Sequence, residues 1–295
     1  MDIVTDGLKL QAYAKINLSL DVLRQREDGY HEVAMVMQSV GLFDTLRMEL
    51  VSNGIALHLN TTALPADERN LAWRAARRFL NVHGIRSGVR IEIEKRIPIA
   101  AGLAGGSADA AAVLRGLNEL FATQMTAAEL IRLGAEIGSD VPFCLRGGTV
   151  LATGRGEILT PLSCGLHAWV VLARPPIEVS TAWAYSTFDQ LHGLETSWTS
   201  AMVETIKKGD LKEIAARLGN ALEAVTLKAH PVIGDYKHIL KENGALASLM
   251  SGSGPTVYAL TRDKVMAERA AAALSAVHPE AVVFVVPTTG PKENG

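Results

Sequence analysis

The chain has 295 residues, with 29 Lys plus Arg against 31 Asp plus Glu and a formal net charge of −2. That near-neutral balance disfavours broad electrostatic binding to nucleic acid or to an anionic membrane surface. With 48% apolar and 20% charged residues the composition excludes disorder, collagen and coiled coil as the dominant state, and suits one large domain or two modest ones. The start, MDIVTDGLKL, lacks the basic and apolar segments of a signal peptide. No run reaches the ~18 apolar residues of a membrane span. Cys144 and Cys164 make no C-x-x-C pair and read as two buried thiols of a reducing compartment. A cytoplasmic location is expected.

In chain order, residues 12–20 alternate as a half-buried strand, with Ile16, Leu18 and Leu20 on one face and Lys15, Asn17 and Ser19 on the other. The turn signal Asp28-Gly29 leads to a strand at 31–40, followed by strands at 44–51 and 55–59. Residues 69–83 read as a helix stopped by Gly84. Residues 88–94 alternate as a strand, and a glycine-rich loop precedes an Ala-rich helix from Ser107 to Phe121. Thr126 and Glu129 form a capping box for a helix ending at Gly138. Strands follow at 147–153 and 167–173. Helices follow near 180–191, 198–208, 210–227 and 231–243. Strands at 246–250 and 256–261, a helix at 264–277 and a strand at 281–287 close the chain. The pattern is α+β, with no internal repeat, and a boundary near Pro161 and Gly165 divides it into 1–165 and 166–295.

Three segments carry chemistry. In PIAAGLAGGSADAAAVL (98–114), a strand runs through Gly102, Gly105 and Gly106 into a helix opened by Ser107. Free backbone N–H groups and the positive helix end suit a phosphate, and Ser107 either caps the helix or places a hydroxyl near a bound metal. The segment is neither a Walker loop nor a dinucleotide fingerprint, and no protein-kinase signature is present. In MSGSGPTVYAL (250–260), Gly252 and Gly254 form a ligand-contacting corner or a tight turn between strands. The third group is a set of polar residues in apolar surroundings. Lys15 lies mid-strand, facing either solvent or a site. Asp140 is either a helix N-cap or a functional carboxylate. Tyr30-His31 follows a turn, in a chain with only 5% aromatic residues. Nothing suggests a zinc site or a nucleophile elbow.

Taken together, AYAKINLSLDV (12–22), PIAAGLAGGSADAA (98–111) and SGSGPTVYAL (251–260) resemble the three motifs of the GHMP kinase superfamily, in order and at fitting distances. Asp28-Gly-Tyr-His31, Gly138-Ser-Asp140 and GRGEILTPL (154–162) bring the chain nearest to the branch acting on a cytidine diphosphate-linked methylerythritol in isoprenoid precursor synthesis. The resemblance implies a two-domain fold, with a βαβ sandwich followed by a ferredoxin-like α/β sandwich and the site in the cleft between them. It implies ATP and Mg²⁺ as cofactors, with Mg²⁺ bridging the ATP phosphates, and transfer of the γ-phosphoryl group to the acceptor's 2-hydroxyl.

By the same resemblance Asp140 is the base, and Lys15 keeps it ionised and offsets negative charge. Pro98, Ala100 and Gly102-Leu103-Ala104-Gly105-Gly106-Ser107 hold the ATP phosphates, while Asn70 and Lys95 either line the adenine side or are a helix-start polar residue and an exposed lysine. Tyr30 and His31 hold the cytosine, with Tyr185 as a second aromatic whose neighbours Trp183 and Phe188 compete for the role. Asn17 supports the acceptor end, and Gly252, Ser253 and Gly254 contact the substrate. Ala108, Ala100 and Ala101 depart from residues common in relatives, which leaves open the atoms that touch the phosphates. A monomer or weak homodimer is expected. The rivals are a homoserine or mevalonate type of kinase, whose acceptors offer no base to stack, and a non-catalytic nucleotide sensor, which would have no use for both Lys15 and Asp140.

Overall fold

The alternating residues 12–20 lie inside an 18-residue strand, β1 (Leu8–Gln25), antiparallel to the 21-residue β2 (His31–Val51). The computed structural model of the chain describes residues 7–162, 166–191 and 197–290, so Cys164 and Gly165 lie outside it. The two strands expected at 31–40 and 44–51 are one. The residues between them are absorbed by a register shift opposite Tyr13 and Lys15, a bulge rather than a turn. Then come β3 (Ile55–Leu59), α1 (Leu71–Val82), β4 (Gly88–Glu94), α2 (Gly105–Leu120), α3 (Ala127–Ala135), α4 (Val141–Arg146), β5 (Thr149–Thr153) and β6 (Ile158–Pro161). The capping box of Thr126 and Glu129 forms as expected. Helix α2 starts two residues before Ser107, which therefore sits in the first turn instead of capping it. Strand β6 was not expected from the sequence.

The second part holds β7 (Trp169–Arg174), α5 (Thr181–Phe188), α6 (Trp198–Lys208), α7 (Leu211–Ala216), β8 (Gly219–Asn220), α8 (Glu223–Ala229), α9 (Val232–Glu242), β9 (Ala247–Met250), β10 (Val257–Thr261), α10 (Lys264–Val277) and β11 (Val282–Pro287). The helix expected at 210–227 is broken. Gly219-Asn220 leave it to pair in parallel with Ser19-Leu20, and the ring of Trp198 packs where a side chain at Gly219 would stand.

One sheet runs β3-β4-β2-β1-β8, with β5 joined to β2 and β6 to β5. The other is antiparallel, in the order β11-β7-β10-β9, with α9 and α10 packed on it. The two parts are stitched together twice. The first seam is β1 with β8. The second is Val40 with Thr288, where Gln38 Nε2 also donates to Thr289 O at 2.8 Å.

The second part also corrects the reading of β1 as half-buried. Lys15, Asn17, Ser19 and Asp21 are all buried, because α6 and the turn at 251–254 cover the polar face. Ser19 and Thr199 hydroxyls meet at 2.9 Å, and Asp21 accepts from the backbone N–H groups of Trp198 and Thr199 at 3.1 and 2.8 Å. A strand carboxylate thus caps a helix some 180 residues away in sequence, a pairing that no local pattern announces.

Candidate active site

A cavity of about 830 Å³ opens where the two parts meet, within the range of small-molecule sites. Its floor is the segment 97–104 together with the first turn of α2. The N-cap of α2, Ala104, adopts the left-handed conformation at φ 58° and makes no side-chain cap bond. The positive end of a 16-residue helix therefore faces the cavity without a side chain on it. Ala100 is left-handed too, at φ 51°. A Cβ makes each of these conformations cost roughly 1–2 kcal/mol, strain stored in a loop shaped for something other than its own stability.

Gly102 is where the loop touches the turn of the second part. A Cβ on it would stand 2.1 Å from Ser251 O, and its φ is +73°. Its carbonyl accepts from Ser251 Oγ at 2.9 Å and from Lys15 Nζ at 3.2 Å. We expect Gly102→Ala to lower stability by about 2–4 kcal/mol and to raise the KM for ATP at least tenfold, as read by urea unfolding and steady-state kinetics. Gly106→Ala would meet only Leu71 Cδ1 at 3.6 Å and should leave stability unchanged or slightly raised.

Above this floor, Lys15 Nζ donates to Asn17 Oδ1 at 2.7 Å and lies 3.8 Å from Asp140 Oδ2. Only 6% of the lysine side chain is exposed, against 30% of the aspartate. Asp140 occupies the N-cap position of α4 but makes no cap bond, so its carboxylate is turned to Lys15 and the cavity rather than to its own helix. Asn17 is fixed from below, where Tyr258 Oη donates to its carbonyl at 2.9 Å. Burial raises the Tyr258 phenol well above its ordinary range, so it remains a donor. The 251–254 turn is held by Asn220 Nδ2, which donates to Met250 O and Gly252 O at 2.8 Å each, and by Thr181 Oγ1 against Ser253 Oγ at 3.0 Å.

The far end is aromatic. His31 Nε2 lies 2.7 Å from Asp189 Oδ1, and its ring centroid is 4.7 Å from that of Tyr185. A flat base cannot enter between those two rings, since a sandwich needs about 7 Å, two van der Waals contacts. Tyr30 is 52% exposed, and the Arg155 guanidinium lies over its ring at 4.8 Å from the centroid. Tyr185 lines the cavity, whereas Trp183 sits edge-on to His230 and Phe188 is buried in the core.

Lys95 lines the loop end but its charge is committed locally. Nζ lies 2.5 Å from Asp44 Oδ2 and 2.6 Å from Asp109 Oδ2, with 6% of the side chain exposed. Asp44 Oδ1 accepts from the N–H of Ile97 at 2.8 Å, so this triad ties β2, the loop and α2 together. Burial pushes Asp109 up to about 8, with Asp44 adding to the rise and Lys95 opposing it. Burial pulls Lys95 down, but the two carboxylates outweigh it and hold the lysine above its ordinary value.

Three expected residues do not line the cavity. Asn70 caps α1 instead, accepting from Ala72 N at 2.9 Å and donating to Pro65 O at 2.8 Å. Leu103 is buried in the core, and only its carbonyl reaches toward the site, accepting from Lys15 N at 3.1 Å. Gly254 closes its own turn on Ser251 O. The lining also includes Ser139, Arg155, Thr181, Ser186 and Asp189, to which the sequence reading gave no role. Ser139 and Arg155 lie in two of the motifs that carry the resemblance, Gly138-Ser-Asp140 and GRGEILTPL, whereas the other three carried no local signal.

The sequence profile described as "GHMP kinases N terminal domain" matches residues 70–148, and "GHMP kinases C terminal" matches 202–280. A 4-diphosphocytidyl-2-C-methyl-D-erythritol kinase of Exiguobacterium sibiricum is 50% identical over 261 residues, 88% of this chain and 91% of that protein. The enzyme of that name from Bacillus subtilis is 48% identical over 260 residues, again 88% of this chain and 90% of its own. A crystal structure of 4-(cytidine 5'-diphospho)-2C-methyl-D-erythritol kinase superposes with TM-score 0.80 at 34% identity, covering 96% of this chain and all of that one. Homoserine kinase from Cytophaga hutchinsonii reaches the same TM-score at 23% identity, a likeness of fold. With an uncapped helix end, a lysine–aspartate pair and an aromatic mouth in one cleft, and with about half of the aligned residues shared with the two bacterial enzymes over 88% of its length, the chain belongs to the GHMP kinases, in the family of the 4-diphosphocytidyl-2-C-methyl-D-erythritol kinases.

Proposed function

We propose that this chain transfers the γ-phosphoryl group of ATP to the 2-hydroxyl of 4-diphosphocytidyl-2-C-methyl-D-erythritol. The observation that carries the reading is the Lys15–Asp140 pair, 3.8 Å apart, between the uncapped end of α2 and the aromatic mouth. In this reading the acceptor hydroxyl lies against Asp140. Its oxygen attacks the γ-phosphorus, the bond to the bridging oxygen of ADP breaks, and the hydroxyl proton passes to the Asp140 carboxylate. Lys15, beside that carboxylate, offsets charge on the transferring group during the step. Backbone N–H groups of 105–107, with Gly102 and Ala104 shaping the loop, hold the nucleotide phosphates. Pro98 and Ala100 form the wall beside them.

Mg²⁺, bound together with ATP, would shield the phosphate charge. The lining supplies the Ser107 hydroxyl and the Asp140 carboxylate, which suits a cation held mainly by phosphate oxygens and one or two protein contacts. Among the described residues no group of three or more His, Cys, Asp and Glu forms a separate cage. Tyr30, His31 and Tyr185 receive the cytosine. The rings of His31 and Tyr185 already touch, so the base stacks on an outer face, and His31 is oriented by Asp189. Asn17, Gly252 and Ser253 border the acceptor's polyol. A monomer or weak homodimer and a cytoplasmic location belong to the same proposal, as suits an enzyme of small polar reactants. No helix among the described residues is long and apolar enough to cross a membrane.

Phosphorus NMR of the products tests the reading. A new phosphomonoester should grow in step with ADP. ADP accompanied only by inorganic phosphate would overturn it.

A further inference from the structure

Three cations line the cavity, and two are already engaged. Lys95 sits between Asp44 and Asp109, and Lys15 serves Asn17, Gly102 and Asp140. The third is Arg155. Its nearest carboxylate contact is loose, with Nε 3.7 Å from Glu157 Oε1, because Glu157 Oε2 is taken by the Arg155 backbone N–H at 2.6 Å. The field of Arg155 also reaches Asp28, which is held below its ordinary value despite some desolvation, mainly by the Tyr30 backbone N–H and by Arg26. Neither carboxylate takes up the planar fork of the guanidinium in a paired geometry. Instead the guanidinium lies over the Tyr30 ring, 4.8 Å from its centroid, with 28% of the side chain exposed.

The turn that carries Arg155 is shaped to present it. Gly154 and Gly156 flank it at φ +72° and +108°. A Cβ on Gly156 would lie 2.6 Å from Met35 Cε and 4.0 Å from Ser139 O. The turn at 154–156 therefore passes beside Ser139 on its Gly156 side, while Arg155 lies over Tyr30.

Resting on the proposed function, the geometry points to Arg155 as the residue that binds the diphosphate of the acceptor and so selects a nucleoside diphosphate ester over a plain alcohol. The placement matches the chemistry of that substrate, whose diphosphate joins the base to the polyol. A base at Tyr30 and a hydroxyl at Asp140 leave the diphosphate to run past the turn at 154–156. A guanidinium fork suits two phosphate oxygens, and stacking on Tyr30 pre-orders it so that little side-chain freedom is lost on binding. The same fork could in principle serve the phosphates of ATP, but those belong at the α2 end, while Arg155 is fixed to Tyr30.

Arg155→Gln and Arg155→Lys test this by steady-state kinetics and by inhibition with CDP and with cytidine. For Arg155→Gln the KM of the acceptor should rise about 10- to 100-fold, with the KM for ATP changed less than about twofold. The preference for CDP over cytidine should fall by a similar factor, while the affinity for cytidine stays. Arg155→Lys should recover part of the preference, since it keeps charge but not the fork. Unchanged CDP preference in Arg155→Gln, or a rise in the KM for ATP alone, would overturn the assignment. Those outcomes require a wild-type protein that turns over the cytidyl acceptor, and absence of that turnover would instead defeat the proposed function.

Discussion

Asp140→Asn should lower kcat by about 10²- to 10⁴-fold while leaving the KM for ATP within a few-fold. The amide has the size of the carboxylate but cannot take the acceptor's proton. Because the Asp140 side chain makes no cap bond to α4, its loss should cost little stability, which separates a chemical effect from a folding one. Lys15→Met should be comparably slow for a different reason. It removes the charge beside Asp140 and leaves Asn17 Oδ1 and Gly102 O without their shared donor. The two residues act as a unit, so the double variant should be no worse than the slower single one by more than a few-fold. Steady-state kinetics on the three variants measures this. Retention of turnover within tenfold of wild type in Asp140→Asn would remove Asp140 as the base.

The largest stability effect is expected at Lys95. Lys95→Met removes the cation shared by the buried Asp44 and Asp109, leaving the Asp44 charge uncompensated beside the protonated Asp109. Breaking a buried ionic cluster this way costs about 3–5 kcal/mol, readable as a lower midpoint in urea. Asp109→Asn is the informative partner. The amide oxygen still accepts from Lys95, but the proton is no longer exchangeable. In the wild type, Asp109 is raised from its ordinary 3.8 to about 8 on folding. The folded state therefore holds a proton that the unfolded state has released, and stability falls as pH rises through that window. The contribution is complete below about pH 4 and is lost as pH approaches 8. Asp109→Asn should flatten this part of the profile. A profile from pH 5 to 8 that is identical in the two proteins would contradict the protonated Asp109.

The phosphate loop and the α1 and β4 boundaries were legible because each rests on local rules: glycines before a helix, a cap residue, period-two alternation. The sequence reads Asp140 as either a cap or a functional carboxylate and does not decide between them, since the residue holds the cap position and only the structure shows its side chain making no cap bond. Lys15 was similar. The alternation of β1 is real, but the face it assigns away from the sheet core is covered by α6 and the 251–254 turn, contributed by residues some 180 to 240 positions later. The broken helix at 210–227 has the same cause, since pairing of Gly219-Asn220 with β1 outweighs local helix propensity. The Asp44–Lys95–Asp109 triad was invisible because its carboxylates are 65 positions apart and neither breaks a hydrophobic pattern conspicuously. Asn70 reads in the sequence as either a ligand contact or a helix-start residue, and the structure shows it making the cap bonds of the second role.

ADP release from MgATP, measured with 4-diphosphocytidyl-2-C-methyl-D-erythritol beside homoserine and mevalonate as acceptors, tests the central claim most directly. The account predicts turnover with the cytidyl acceptor alone, because only that substrate can use the aromatic mouth and the Lys15–Asp140 pair together. Turnover with homoserine or mevalonate in its place would contradict it.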